Sequence, residues 1–135
     1  MDNKPNEPTQ LVANDWIDTG NLIFSKDDVE KACQLFGDEN PIHNRLKVLP
    51  FALTLGAMSG RAFRLAGERG WLKEIAYVTD YCCSGELGDK ALRADRIYQA
   101  FTRFEQGVKG NAQVHLRVDE GESTRFSGLI VVKYR

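Results

Sequence analysis

No apolar run in the chain approaches the roughly 20 residues needed to span a bilayer, which argues against a membrane protein. Cysteine is scarce: Cys33, Cys82 and Cys83 are the full set. Cys82 and Cys83 are adjacent, point to opposite faces of an extended chain and match no zinc spacing. Reduced thiols are therefore expected, with neither a disulfide framework nor a metal site. Charge of one sign is not in excess either, since 18 Lys and Arg stand against 19 Asp and Glu. The basic residues are also spread along the chain, so no nucleic-acid or anionic-membrane surface is expected. There is no P-loop, no GxGxxG and no metal-ligand cluster, hence no expected cofactor. The start, Met1-Asp-Asn-Lys-Pro-Asn-Glu-Pro, lacks the apolar centre of a secretory signal, and the expected location is the cytoplasm.

What is present suits a soluble globular domain. The hydrophobic fraction of 42% and charged fraction of 27% are ordinary, and 135 residues can bury one core without covalent staples. Residues 1–10 are polar with two prolines and read as a flexible tail. Residues 11–135 read as a single domain, in which Leu11 to Phe24 supplies one or two short extended pieces. Ser25 then caps a helix, Asp27 and Asp28 suit the positive end of its dipole, and Phe24 can staple to Val29. Val29, Ala32, Cys33 and Phe36 follow at i, i+3, i+4 and i+7, one apolar face, before Gly37 ends the helix.

A second helix is expected from about Phe51 to Ala66, following Pro50. Its charges are confined to Arg61 and Arg64, and a helix apolar on most of its circumference is a buried one. Gly56 and Gly60, four apart, are expected to let it approach a sheet closely. The remainder reads as strands. Glu74 to Ser84 is rich in β-formers, and Gly85 to Asp89 makes a turn. Ala112, Val114, Leu116 and Val118 alternate with polar residues, and a hairpin turn at Asp119–Glu122 leads to a return strand from Phe126 to Tyr134. Residues 90–105 are ambiguous. Ala94, Ile97, Tyr98, Phe101 and Phe104 have helical spacing, so periodicity alone favours helix there. A buried helix followed by a run of strands argues instead for a sheet wrapped around that helix, an α+β architecture.

The stretch that carries chemistry is Phe36-Gly37-Asp38-Glu39-Asn40-Pro41-Ile42-His43. Gly37 releases the first helix, and Pro41 blocks its resumption and holds Asn40 extended. Asp38 and His43 therefore belong to a tight loop on which a carboxylate and an imidazole can converge on one small molecule, such as water. Histidine is the side chain suited to proton transfer near neutrality, and an acid and a base facing one site are what addition or removal of water at a C=C bond needs. Read for its backbone alone, the same stretch is also plain loop punctuation, because Asp and Asn cap and turn chains.

The stretch resembles the hydratase 2 motif of the MaoC-like dehydratases, the (R)-specific enoyl-thioester hydratases. Gly37, Asp38, Asn40, Pro41, Ile42 and His43 match it, in the same slot between a short helix and a long one, and the resemblance covers roughly residues 14–135. It implies the hotdog fold, an antiparallel sheet wrapped around a long helix. It also implies a hydro-lyase acting on an enoyl or (R)-3-hydroxyacyl thioester of CoA or of an acyl carrier protein. By that resemblance His43 activates water, Asp38 exchanges a proton with substrate and water, and Asn40 holds the loop and its water. Amides near Ala52, Leu53 and Thr54, at the start of the long helix, then face the thioester oxygen. Leu53 and Thr54 stand where the family has His and Gly, and only Asn44 to Leu49 separates His43 from Pro50.

Two rival readings use the same fold: a non-catalytic acyl-binding subunit of a heteromer, and an acyl thioesterase. A homodimer, or a heteromer, is expected because a one-sided sheet around one helix leaves edges and apolar surface uncovered. His115 reads as a surface or interface residue, Trp16 and Trp71 as packing residues, and Arg45 and Lys47 as solvated loop charges that could also meet a phosphate.

Overall fold

The computed structural model describes residues 15–71, 75–106 and 110–134, with residues 75–77 and 134 described by backbone alone. The tail expected over residues 1–10 lies outside them. The elements run β1 (Ile17–Leu22), α1 (Lys26–Phe36), α2 (Pro41–Asn44), α3 (Phe51–Glu68), β2 (Ile75–Gly85), a single 3-10 turn at Gly88–Lys90, then β3 (Tyr98–Gln106), β4 (Asn111–Glu120) and β5 (Ser123–Tyr134). All five strands form one antiparallel sheet in the order β1-β3-β4-β5-β2. The inner face carries Ala112, Val114, Leu116 and Val118 from β4 with Phe126, Ile130 and Val132 from β5, all buried. Against it lies α3, which buries Thr54, Met58, Ala62 and Ala66, residues at i, i+4, i+8 and i+12 along one stripe.

The first helix forms as its caps dictate. Ser25 accepts from the Asp28 amide at 3.0 Å while Asp28 accepts from the Ser25 amide at 2.9 Å, a reciprocal capping box. The bond from the Ser25 amide, followed by the Ser25 hydroxyl, holds the Asp28 carboxyl below its ordinary value. Val29, Ala32 and Cys33 are buried as the periodicity requires. Phe36, on the same predicted face, is 51% exposed, because the chain turns away at Gly37.

Three expectations need correction. The helix that periodicity alone favours over residues 90–105 is absent, and β3 occupies Tyr98–Gln106. Tyr98, Ala100, Thr102 and Phe104 are buried on one face of it, while Phe101 lies on the other with Arg117 stacked on its ring at 4.5 Å. Tyr98 and Phe104 fit both a period of two and a helical stripe, and pairing with β1 and β4 decides between them. Next, α3 is not buried all round: Phe51, Ala52, Gly56, Gly60 and Arg64 are exposed. Gly56 and Gly60 do not face the sheet, since a Cβ on either meets nothing within 4 Å. Close approach to the sheet is made by Ala62 and Ala66 instead, both fully buried.

The two strand edges differ. Along β1, the Arg61 guanidinium reaches across from α3 and donates to the carbonyls of Thr19, Gly20 and Asn21 at 3.3, 3.4 and 2.7 Å. Among the described residues the longer β2 receives no side-chain hydrogen bond from α3, and it exposes Val78 and Tyr81.

Met58 is fully buried between α3 and the sheet. Truncating such a side chain removes transfer energy and leaves a cavity. Met58→Ala should therefore lower the unfolding free energy by about 2–5 kcal/mol, measured by urea denaturation. Ser25→Ala should cost about 1 kcal/mol through loss of the cap.

Candidate active site

The site begins where α1 stops. Gly37 takes φ 66° and ψ 29°, left-handed values that suit glycine. Its N–H donates to the Gln34 carbonyl, and the Asp38 N–H donates to the Cys33 carbonyl at 2.8 Å. That closure aims the Asp38 side chain forward. Its Oδ1 accepts from the Asn40 amide at 2.9 Å, and its main-chain carbonyl accepts from Asn44 Nδ2 at 2.9 Å. Asn40 in turn accepts from the Ile42 amide at 3.1 Å and so caps α2, whose first residue is Pro41. One short helical turn later, His43 Nδ1 lies 2.6 Å from Asp38 Oδ2.

The Asp38 carboxyl is held below its ordinary value, first by the Asn40 N–H and further by the hydrogen bond and charge of His43, against an opposing push from burial. An ionised carboxylate only accepts, so the proton in this bond belongs to Nδ1 of the imidazole. In the neutral ring Nε2 is then left with a free lone pair. The two side chains are 21% and 23% exposed, sheltered but within reach of a ligand.

His43 and Asn40 line a cavity of about 330 Å³. Part of its apolar wall comes from Val48, Leu49, Ala91 and Leu92. These belong to two short segments joined by an antiparallel bridge between Val48 and Arg93, and by bonds from the Leu49 amide to the Leu92 carbonyl and from the Ala94 amide to the Lys47 carbonyl. The short connection after His43 is thus stitched into a wall. Phe51 and Leu87 add apolar surface, and Glu86 and Arg125 are the charged lining residues. Arg125 Nη2 donates to Glu120 at 3.2 Å. Asp38 does not line the cavity. Its carboxylate bonds directly to His43, which does line it.

An antiparallel sheet in the order β1-β3-β4-β5-β2 around one long helix is shared with solved structures. An (R)-hydratase from A. caviae involved in PHA biosynthesis superposes with a TM-score of 0.68 at 18% identity, over 93% of this chain and 98% of that one. A chain of the ChsH1-ChsH2 complex from Mycobacterium tuberculosis gives 0.68 at 7% identity, over 92% and 98%. The F36A mutant of the fluoroacetyl-CoA-specific thioesterase FlK gives 0.66 at 10% identity, over 90% and 85%. This is the hotdog fold. No family model and no curated protein sequence matches the chain.

Within the hotdog frame, α3 starts beside the cavity, and the residues expected to face substrate divide there. Leu53 and Thr54 both donate their amides to the Pro50 carbonyl, at 3.1 and 3.2 Å. Thr54 is wholly buried, and its hydroxyl has no hydrogen-bond partner among the described residues. The Thr54 amide is therefore engaged inside the helix. Pro50 supplies no side-chain cap, so the amides without an intrahelical carbonyl are those of Phe51 and Ala52. Ala52, Leu53 and Thr54 do not line the cavity, whereas Phe51, unflagged by the motif, does. Its only local signal was an aromatic side chain directly after Pro50.

A larger hotdog groove, about 560 Å³, runs between α3 and β1 past Gly56, Gly60, Arg61 and Arg64. No histidine lines it, so chemistry and not volume selects the site. His115 lies on the outer face of the sheet, 3.0 Å from Glu105 and edge-on to Trp16. Trp71 packs edge-on to Phe104 in the core. Among the described residues no group of His, Cys, Asp and Glu could hold a metal, and no helix is long and apolar enough to cross a membrane. Cys82 is exposed and Cys83 half-buried, the opposite faces expected of neighbours in a strand.

Because its value is lowered in the folded chain, ionised Asp38 stabilises the loop above the ordinary carboxylate value of 3.8. That contribution is lost as pH falls through the lowered value. Urea unfolding of wild type and Asp38→Asn should show a stability gap that closes as pH drops below 3.8. A gap unchanged down to acid pH would show that the ionised carboxylate is not what holds the loop.

Proposed function

We propose that this chain adds water to, or removes it from, an enoyl or (R)-3-hydroxyacyl thioester of CoA or an acyl carrier protein. The observation that carries the reading is the 2.6 Å Asp38–His43 pair presenting His43 to an apolar cavity. In the hydration direction, His43 Nε2 takes a proton from water as the water oxygen bonds to C3. The C2=C3 electron pair moves through C2 to the thioester oxygen, giving an enolate. As the enolate collapses, C2 takes the proton back from the imidazolium, so one water is added and the base is restored. Asp38 positions the ring and balances the charge that forms on it. The free amides of Phe51 and Ala52 at the positive end of α3 suit the enolate oxygen. The similarity in fold to an (R)-hydratase supports this reading.

The working form is proposed to be a homodimer joined along β2. Arg61 occupies carbonyls of β1, whereas β2 is an 11-residue strand that exposes Val78 and Tyr81 and forms an edge of the sheet among the described residues, and an edge of that length invites a second strand. Light scattering at micromolar concentration should give twice the chain mass, and a stable monomer would overturn the dimer.

Hydration of crotonyl-CoA, followed by loss of enoyl-thioester absorbance, tests the activity. His43→Ala and Asp38→Ala should each cut turnover about 10²–10⁴-fold, non-additively when combined, while the protein stays folded. Release of free thiol would mark hydrolysis instead. Unchanged turnover in both variants, or none with any enoyl thioester, would favour an acyl-binding subunit.

A further inference from the structure

We infer that Phe51 sets the length of acyl group the cavity takes, with Gly85 as the seat that fixes its ring; this rests on the thioester reading of the same cavity. Phe51 is the first residue of α3, so the helix fixes its backbone beside His43. The ring lines the cavity and is 39% exposed, yet it is held from two directions. A Cβ on Gly85 would lie 2.8 Å from Cε1 and 3.0 Å from Cζ of Phe51, so the ring rests directly on the backbone at the end of β2. Phe126 meets it edge-on, with centroids 5.8 Å apart and planes at 72°. Gly85 and Phe126 are register partners across β2 and β5, and Phe126 is 1% exposed. The seat therefore belongs to the rigid sheet and not to a loop.

Gly85 does not itself line the cavity, while Phe51 does. The ring covers the strand end and closes off the space a longer chain would need. The volume left, about 330 Å³, is close to the lower end of the roughly 300–1,000 Å³ usual for small-molecule sites. Gly85 has no positive φ to require glycine, so its missing side chain is explained by the close approach of the ring. The substrate class is then a short-chain acyl thioester. Shortening the side chain at Phe51 opens the cavity toward β2, and a methyl group at Gly85 pushes the ring into it. The two changes act in opposite directions on one specificity.

The test is a chain-length profile read in two ways on wild type, Phe51→Ala, Phe51→Leu and Gly85→Ala. Binding of butyryl-, hexanoyl-, octanoyl- and decanoyl-CoA is measured by calorimetry, and kcat/KM is measured with the matching enoyl-CoAs. In wild type, affinity should stop rising after the shortest chains. In Phe51→Ala, octanoyl-CoA should gain at least about tenfold over butyryl-CoA relative to wild type, with Phe51→Leu intermediate and serving if the alanine variant does not fold. Gly85→Ala should sharpen the preference for butyryl-CoA, and Phe51→Leu added to it should relieve the effect. General destabilisation would weaken all chain lengths alike. A profile identical in every variant overturns the inference even if crotonyl-CoA is hydrated normally. A shifted binding profile without turnover upholds it while the hydratase reading falls alone. Failure of wild type to bind any acyl-CoA overturns it.

Discussion

The Asp38 carboxylate accepts from two sides at once, from the Asn40 amide and from His43 Nδ1, and the geometry of the site follows from that pair of hydrogen bonds. A carboxylate bound to the next turn of its own backbone cannot rotate freely, so the imidazole it holds cannot either. The tautomer is set by the same contact, because an ionised acid has no proton to offer. The left-handed turn at Gly37 and the cap that Asn40 places on α2 exist, in physical terms, to bring those two side chains to 2.6 Å. His43 lines a cavity together with the stitched wall at Val48 and Leu49 and with Phe51 at the start of α3.

The fold supports that loop by anchoring both of its ends. Before it, α1 is pinned by a capping box and by Val29, Ala32 and Cys33 in the core. After it, Leu49 is buried and bonded to Leu92, and α3 presses Met58, Ala62 and Ala66 on the sheet. The small side chains of that stripe let the helix sit low, which brings its first turn level with the end of β2. Phe51 meets Gly85 there, and the cavity is lined by Phe51 at the helix end and Arg125 of β5 beside residues of the connecting segments. A site whose walls come from the packed core is held more firmly than one on a loop alone.

Sheet and helix also treat their exposed surfaces unequally. One edge has its carbonyls taken by Arg61, and among the described residues no further strand pairs with the other. On the outer face, the rings of Trp16 and Phe101 carry Arg103 and Arg117 stacked at 4.5 to 5.4 Å, which covers apolar surface with charge. The exposed Gly56–Gly60 flank of α3 has no such cover from the sheet it was expected to meet.

Local rules made much of the molecule legible in the chain itself. The cap at Ser25, the stop at Gly37, the loop from Asp38 to His43, the long helix after Pro50 and the alternation of Ala112, Val114, Leu116 and Val118 each depend on residues a few positions apart. Backbone sterics, capping and periodicity act at that range, so they are written in the sequence. Tertiary contact decided the rest. Tyr98 and Phe104 satisfy a helix and a strand equally until β1 and β4 supply partners. Gly56 and Gly60 are small enough to approach a sheet but are turned away from it by the rotation that Thr54, Met58 and Ala62 impose on α3. That Asp38 meets the ring of His43 depends on where α2 comes to rest. The seat of Phe51 on Gly85 joins residues from separate elements, and no spacing along the chain encodes it, because van der Waals contact is a property of surfaces brought together only by folding.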